Sequence, residues 1–204
     1  MGKCPLTLSN VYEGTKKIFG ESFVENNKDN IDLIINGEKT KLINKYKLKK
    51  GENNITLIIK NKIDNFSNMF YKCKSLINID ELKYLNTDDC KDFSRMFNWC
   101  SSLSDITALE KWNVSNGTNF FGMFGGCSSL SNIKPLENWN VSNGNNFSYM
   151  FSECSLLSDV KPLEKWNVSN GNNFGCMFWE CSSLPSIKAL ESWKLSKEQF
   201  KSLK

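Results

Sequence analysis

Thiols and carboxylates are the side chains of this chain whose number and spacing could support chemistry. There are eight cysteines and no histidine. Without imidazole the chain lacks the commonest general base, proton shuttle and metal ligand. Neither a Ser/His/Asp nor a Cys/His arrangement can be assembled within it. No Walker loop, dinucleotide fingerprint or C-x-x-C pair occurs. Five cysteines, Cys73, Cys100, Cys127, Cys154 and Cys181, stand 27 residues apart. Glu110, Glu137, Glu164 and Glu191 keep the same interval, with Glu81 displaced from it. A row of like charges at one repeat position reads as a solvated edge rather than an acid–base pair. Asn residues of the W-N-V-S-N-G segments could offer oxygens to Ca²⁺, but no carboxylates cluster with them. The chain is therefore expected to be no enzyme, with no cofactor and no metal.

The positions of the thiols follow from a larger repeat. The phrase F-x-x-M-F-x-x-C starts at Phe66, Phe93, Phe120, Phe147 and Phe174 with no insertion between copies. Repeats of this length are single units that bury their apolar faces by stacking. They run 66–92, 93–119, 120–146, 147–173 and 174–200. From Phe93 and Phe97 to Trp112 the apolar positions recur every third residue: Phe97, Cys100, Leu103, Ile106, Leu109 and Trp112. That is neither strand alternation nor a 3.6-residue period. The reading is a leucine-rich-repeat-like solenoid: short parallel strands around Ser-Leu-Ser-x-Ile, with irregular or short helical returns. Phe and Met in F-S-x-M-F suit one helical or 3₁₀ turn. The cysteine column then lies inside as small, soft, apolar filling, unpaired, in a reducing compartment. Cys4, Cys90 and Cys176 lie off the column. Asn-Gly at 116–117, 143–144 and 170–171 reads as a tight turn needing positive φ. The aligned Asn side chains could also bond the backbone of neighbouring repeats.

Both ends read as caps. Asp88-Asp89-Cys90-Lys91 replaces the Ser-Asn-Gly segment in the first repeat, and Leu195–Phe200 replaces it in the last. Ser196 with Gln199 three residues on is a capping box that predicts a helix over 197–203. Residues 1–62 are expected to form a small β-rich N-terminal capping segment, ahead of the repeat region 63–204. Within it, Ile31–Ile35, Asn36-Gly37 and Glu38–Ile43 read as a hairpin with a two-residue turn, and residues 55–60 as a further strand.

Charge divides along the same boundary. Residues 1–62 carry 12 lysines against 7 acidic residues, while 63–204 carry 14 basic and 15 acidic ones. Arg95 is the one arginine. Lysine-rich faces of this kind favour solubility over nucleic-acid recognition, which mixes arginine with aromatics. No apolar run long enough for a membrane span and no signal-peptide core occur, so an intracellular, cytoplasmic location is expected, with the cell surface as the alternative. Met1-Gly2-Lys3-Cys4 resembles a lipidation site, but Leu6 stands where Ser or Thr is required. Sequons at Asn65, Asn113, Asn140, Asn146 and Asn167 would put glycans against the repeat wall.

The register M-F-x-x-C-S-S-L-S-x-I followed by W-N-V-S-N-G resembles the BspA-like leucine-rich repeats, in the branch found in mycoplasma-type surface lipoproteins and many protist proteins. Met96-Phe97, Cys100-Ser101-Ser102-Leu103 and Trp112-Asn113 carry the likeness, which covers about residues 63–195. Ile18–Val24 resembles the lead-in of the protist members. The resemblance implies a leucine-rich-repeat-like fold and protein interaction, often adhesion or surface recognition, and brings no catalytic residues with it.

Function must then lie on the surface. The two variable positions of M-F-x-x-C are Tyr71-Lys72, Asn98-Trp99, Gly125-Gly126, Ser152-Glu153 and Trp179-Glu180. Trp99 and Trp179 break the pattern. With Tyr71 they are candidate anchors for a protein partner, or they pad a gap or a cap. Gly125-Gly126 would leave a notch between them. Lys134, Lys161 and Lys188 form a basic row that the glutamates beside it largely neutralise. The expectation is a protein–protein interaction or scaffold module. The alternatives are an adhesin or glycan-binding protein, and a structural protein that assembles end to end.

Overall fold

The computed structural model describes residues 2–10 and 13–204, with the backbone alone for 2–10. Met1 and the Cys4 side chain, on which the lipidation-like motif depends, lie outside the described residues. Six strands fill the N-terminal part. A four-stranded sheet has the order β1 (Gly2–Asn10), β6 (Gly51–Ile59), β3 (Ile31–Ile35), β4 (Glu38–Lys41), and β2 (Gly14–Lys17) pairs with β5 (Lys45–Leu48). All pairings are antiparallel. The β3–β4 hairpin turns through Asn36 and Gly37, both at positive φ (52° and 94°), as a two-residue turn of this hand requires. Ile31, Leu33 and Ile35 of β3 and Ile55 and Leu57 of β6 are buried. Asp32 sits between Lys60 (3.0 Å) and Lys39 (3.2 Å).

Helix α1 (Glu21–Asn27) follows β2 and buries Phe23. It joins this unit to the repeats. Phe19 stacks near Phe70 with ring centroids 5.6 Å apart, and the Gly20 N–H donates to the Met69 carbonyl at 2.9 Å.

The expected solenoid of parallel strands is contradicted. The fold is β-rich, with two antiparallel sheets confined to residues 2–59, two short helices and five 3₁₀ turns. Ser-Leu-Ser-x-Ile forms no strand. Parallel pairing in the repeats is reduced, among the described residues, to four single bridges that link Asn65, Asp92, Asn119, Asn146 and Asn173 in succession. The three-residue period has another cause. Four of the five steps from Phe97 to Trp112 close a tight turn, Cys100 N–H to the Phe97 carbonyl (3.0 Å), Leu103 to Cys100 (3.0 Å), Leu109 to Ile106 (2.9 Å) and Trp112 to Leu109 (3.1 Å). Bonds of the i→i+3 type put one side chain in three on the same side, here inward. Short 3₁₀ turns recur at Asp80–Tyr84, Thr107–Leu109, Lys134–Leu136, Lys161–Leu163 and Lys188–Trp193.

Between repeats the backbone is bonded at every second residue of the Phe-to-Cys segment. Phe93, Arg95, Phe97 and Trp99 donate to the carbonyls of Asn119, Phe121, Met123 and Gly125 at 2.7–2.9 Å. The intervening N–H groups of Met96, Asn98 and Cys100 close turns onto Phe93, Arg95 and Phe97. No N–H from Phe93 to Cys100 is left to solvent accounting by default: the Ser94 N–H is taken by the Asp92 carboxylate at 2.8 Å.

Side chains stack in register over this backbone. Phe93, Phe120 and Phe147 lie 5.4–5.5 Å apart and nearly parallel, and Trp112, Trp139 and Trp166 lie 6.4–6.5 Å apart at 5°. Each of Trp112, Trp139, Trp166 and Trp193 donates its indole N–H to a carbonyl of the preceding repeat at 2.8–2.9 Å. Cys100, Cys127, Cys154 and Cys181 donate their S–H in the same direction at 3.0–3.2 Å. Asn116, Asn143 and Asn170 bond the backbone one repeat back at 2.7–2.8 Å.

Gly117, Gly144 and Gly171 do not have the positive φ expected of them. They are required by proximity. A Cβ at Gly144 would lie 2.2 Å from the Phe147 ring and 2.9 Å from the Val141 carbonyl.

Helix α2 (Lys197–Ser202) closes the far end, with the Ser196–Gln199 capping box formed on both sides. The carbonyls of Ser202 and Leu203 accept from Cys176 (2.6 Å) and Phe178 (2.7 Å), in the place a further repeat would occupy. Leu203 is fully buried beneath it.

Candidate partner-binding surface

Each Phe-to-Cys segment places its second, third, sixth and seventh residues around an inward Phe, Met, Phe and Cys; most are at least partly exposed, while Gly122, Gly125, Gly126, Ser148 and Ser152 are buried. The backbone geometry is the same in all copies. The third and seventh residues have positive φ throughout: Asn68 and Lys72, Arg95 and Trp99, Gly122 and Gly126, Tyr149 and Glu153, Cys176 and Glu180, between 53° and 74°. A turn with left-handed backbone at its third residue favours glycine. Only the third repeat supplies it. The others hold Asn68, Arg95, Tyr149 and Cys176 there, at a cost of about 1 kcal/mol each.

The sequence candidates fall in two places. Trp99 and Trp179 are 38% and 43% exposed, and Tyr71 is half-buried on the same face. Lys72 and Lys17 lie over the Tyr71 ring at 5.1 and 5.5 Å. Lys134, Lys161 and Lys188 are exposed at the starts of 3₁₀ turns instead. Lys134 and Lys161 line an open groove with Glu137, Asp159, Pro162, Glu164 and Lys165, and no Trp99-face residue reaches it. The columns Phe93, Phe97, Cys100, Leu103, Ile106, Leu109 and Trp112 are buried.

The notch expected at Gly125-Gly126 is filled. The Trp99 ring lies on Gly126, 2.8 Å from where a Cβ would stand, and the Asn98 amide donates to the Gly122 carbonyl at 2.9 Å. Large residues of the second repeat lean onto the glycines of the third. Trp99 thus both pads a gap and exposes an indole edge.

Sequence reading missed the second and third positions of the segment. Arg95 sits over the Phe121 ring at 4.7 Å. Phe121 meets Tyr149 edge-on at 5.8 Å. Tyr149 is 42% exposed, and its hydrogen bond with the Cys176 side chain pushes its hydroxyl above the ordinary tyrosine value. The signal was available at the third position, which differs in every copy as the sixth does, while Phe121 stands out at a second position that is mostly Ser. Lys72, Arg95, Glu153 and Glu180 form no ion pair with another described residue.

The thiols offer little reactivity. Burial pushes Cys73 and Cys90 up to about 12 and Cys181 to about 11. Cys100, Cys127 and Cys154 are held well above the ordinary thiol value by the same cause. A nucleophilic cysteine needs the opposite shift. Among the described residues no group of three His, Cys, Asp or Glu is placed to hold a metal ion, and no helix is long and apolar enough to cross a membrane.

A family model described as "Mycoplasma protein of unknown function" matches residues 40–160 and 110–202. No curated protein matches the chain, and no solved structure does. The family match supports the resemblance in its coarser form, a mycoplasma-type family. Its two overlapping segments take in the end of β4, strands β5 and β6 and all five repeats, and the chain belongs to this family, DUF285.

Proposed function

We propose that the chain is a non-enzymatic protein–protein interaction module whose docking face is the row of turn residues around Trp99 and Trp179. The observation that carries this reading is the division of labour within each turn. Phe, Met, Phe and Cys are buried in every copy, while the outward residues change from copy to copy over one invariant, fully bonded backbone. A rigid frame with exchangeable outward side chains is suited to recognition. Exposed aromatic rings beside unpaired charges are the composition of binding anchors.

The finer kinship with BspA-like surface proteins belongs to the same proposal and rests on the M-F-x-x-C-S-S-L register. So does an intracellular location, supported by thiols that act as S–H donors in their columns. A glycan-binding or adhesive role is the second reading, favoured by the exposed indole of Trp179.

The test is capture of a protein partner by the wild-type chain, by the Trp99→Ala/Trp179→Ala variant and by Lys134→Ala/Lys161→Ala as a control. A partner retained by wild type and control and lost in the tryptophan variant supports the reading. Retention in all three would move the docking face elsewhere. Binding to a glycan array in place of any protein would favour the second reading.

A further inference from the structure

The docking face has an internal order that points to its partner. Its charges change sign along the stack: Lys72 in the first repeat and Arg95 in the second, Glu153 in the fourth and Glu180 in the fifth. Gly122, Gly125 and Gly126 stand in the third and bring no charge of their own to the centre, where Trp99 and Asn98 of the second repeat cover them. The aromatic residues are placed in the same way, with Tyr71 and Trp179 at the same turn position of the two outer repeats.

An interface between two identical chains related by a two-fold axis requires that residue i meets j while j meets i. An axis through the third repeat pairs the first repeat with the fifth and the second with the fourth. The seventh position then sets Lys72 against Glu180. The sixth sets Tyr71 against Trp179. The third sets the Arg95 guanidinium against the Tyr149 ring, a cation–π pairing. Every non-glycine partner in these three pairs is complementary, and each pair occurs twice. Lys72 and Glu180 have no ion-pair partner among the described residues of their own chain, whereas Arg95 already lies over the Phe121 ring and the same axis sets Glu153 against Trp99.

We propose that a second copy of this chain docks antiparallel on the turn face, with the two-fold axis over the glycines of repeat 120–146. The inference rests on the reading of this face as a protein-docking surface and names the partner. The aromatic pairs supply the buried area, and the charges fix direction and register, because a parallel arrangement would set Lys72 on Lys72 and Glu180 on Glu180.

Sedimentation of the full chain over a wide concentration range at low salt tests it. Wild type is expected to show a concentration-dependent monomer–dimer equilibrium. Lys72→Glu and Glu180→Lys are each expected to weaken the dimer by about tenfold, because each creates two like-charge contacts. Both sites are exposed and already at positive φ, and an unchanged thermal melt of each variant confirms its fold. An equimolar mixture of the two variants should dimerise as wild type does, since one chain then carries glutamates and the other lysines at both sites. The Lys72→Glu/Glu180→Lys double variant should recover for the same reason. A wild-type chain that stays monomeric throughout, a dimer indifferent to both substitutions, or no recovery in the mixture overturns the proposal. A monomeric wild type that still captures a different protein through Trp99 and Trp179 would overturn the dimer and leave the interaction-module reading standing.

Discussion

The indole N–H of Trp139 donates to the carbonyl of Leu109, 2.9 Å away and one repeat earlier. Leu109 ends a 3₁₀ turn and is buried, and its carbonyl also accepts the Trp112 backbone N–H at 3.1 Å. Trp139 is 4% exposed and stacks between Trp112 and Trp166. Phenylalanine in its place would leave part of the stack unfilled and remove one of the two hydrogen bonds that this carbonyl accepts. Trp139→Phe is expected to cost about 2–4 kcal/mol, read as a lower denaturant midpoint at unchanged slope. A cost near zero would mean that the indole bond contributes nothing.

Gly144 presses on the Phe147 ring and the Val141 carbonyl. Gly144→Ala must move one of them in a column where neighbours are equally packed. A loss of about 2 kcal/mol or more is expected, measured by thermal or chemical unfolding. A neutral outcome would show that the ring and the carbonyl yield and that close approach does not require glycine at this site.

Lys194 has φ 52° at the end of the last 3₁₀ turn and is exposed. A non-glycine residue in that region is strained, and glycine is the common occupant of such an end. Lys194→Gly should stabilise the chain by about 0.5–1 kcal/mol, visible as a raised unfolding temperature. A lower temperature would show that the lysine stem packs more than it strains.

These glycines also show what the sequence could and could not reveal. Phe, Met, Cys, Leu and Trp were legible as buried columns because their spacing is invariant. The structure adopted between them was not, because a three-residue period is shared by any path that returns one side chain in three, and only the bonds distinguish turns from strands. Asn-Gly was misread because glycine serves positive φ and close approach equally well. Strand β1 went unseen because Pro5 interrupts its pattern, which an edge strand tolerates; β1 is at the edge of its sheet. Trp99 was legible as an outlier. Its contact with Gly126 was not, because the two meet only when consecutive repeats are stacked.

Buried thiols tie stability to alkaline pH. Cys73 and Cys90 titrate at about 12 in the fold and near 8.5 in an unfolded chain. A folded value above the unfolded one contributes stability that is complete below about 8.5 and is lost as pH rises toward the folded value. The denaturant midpoint should therefore fall above pH 8.5, and fall less in Cys73→Ala. The half-buried Cys176 should react first with a thiol reagent among the described cysteines, and the buried ones only on unfolding. Equal rates for Cys176 and Cys127 at neutral pH would contradict this.

The carbonyls that α2 lends to Cys176 and Phe178 fix a unit of permissible change. Each kind of bond between neighbours keeps its own span from copy to copy, 28 residues for the Asn amides and 30 for the indoles and thiols, so a whole copy can be removed or added in the middle and each donor still finds its acceptor. A gain or loss of any other length slides the tryptophans off their carbonyls and the phenylalanines off one another. The chain can vary its length only in whole turns, and the helix at its end closes whichever turn comes last.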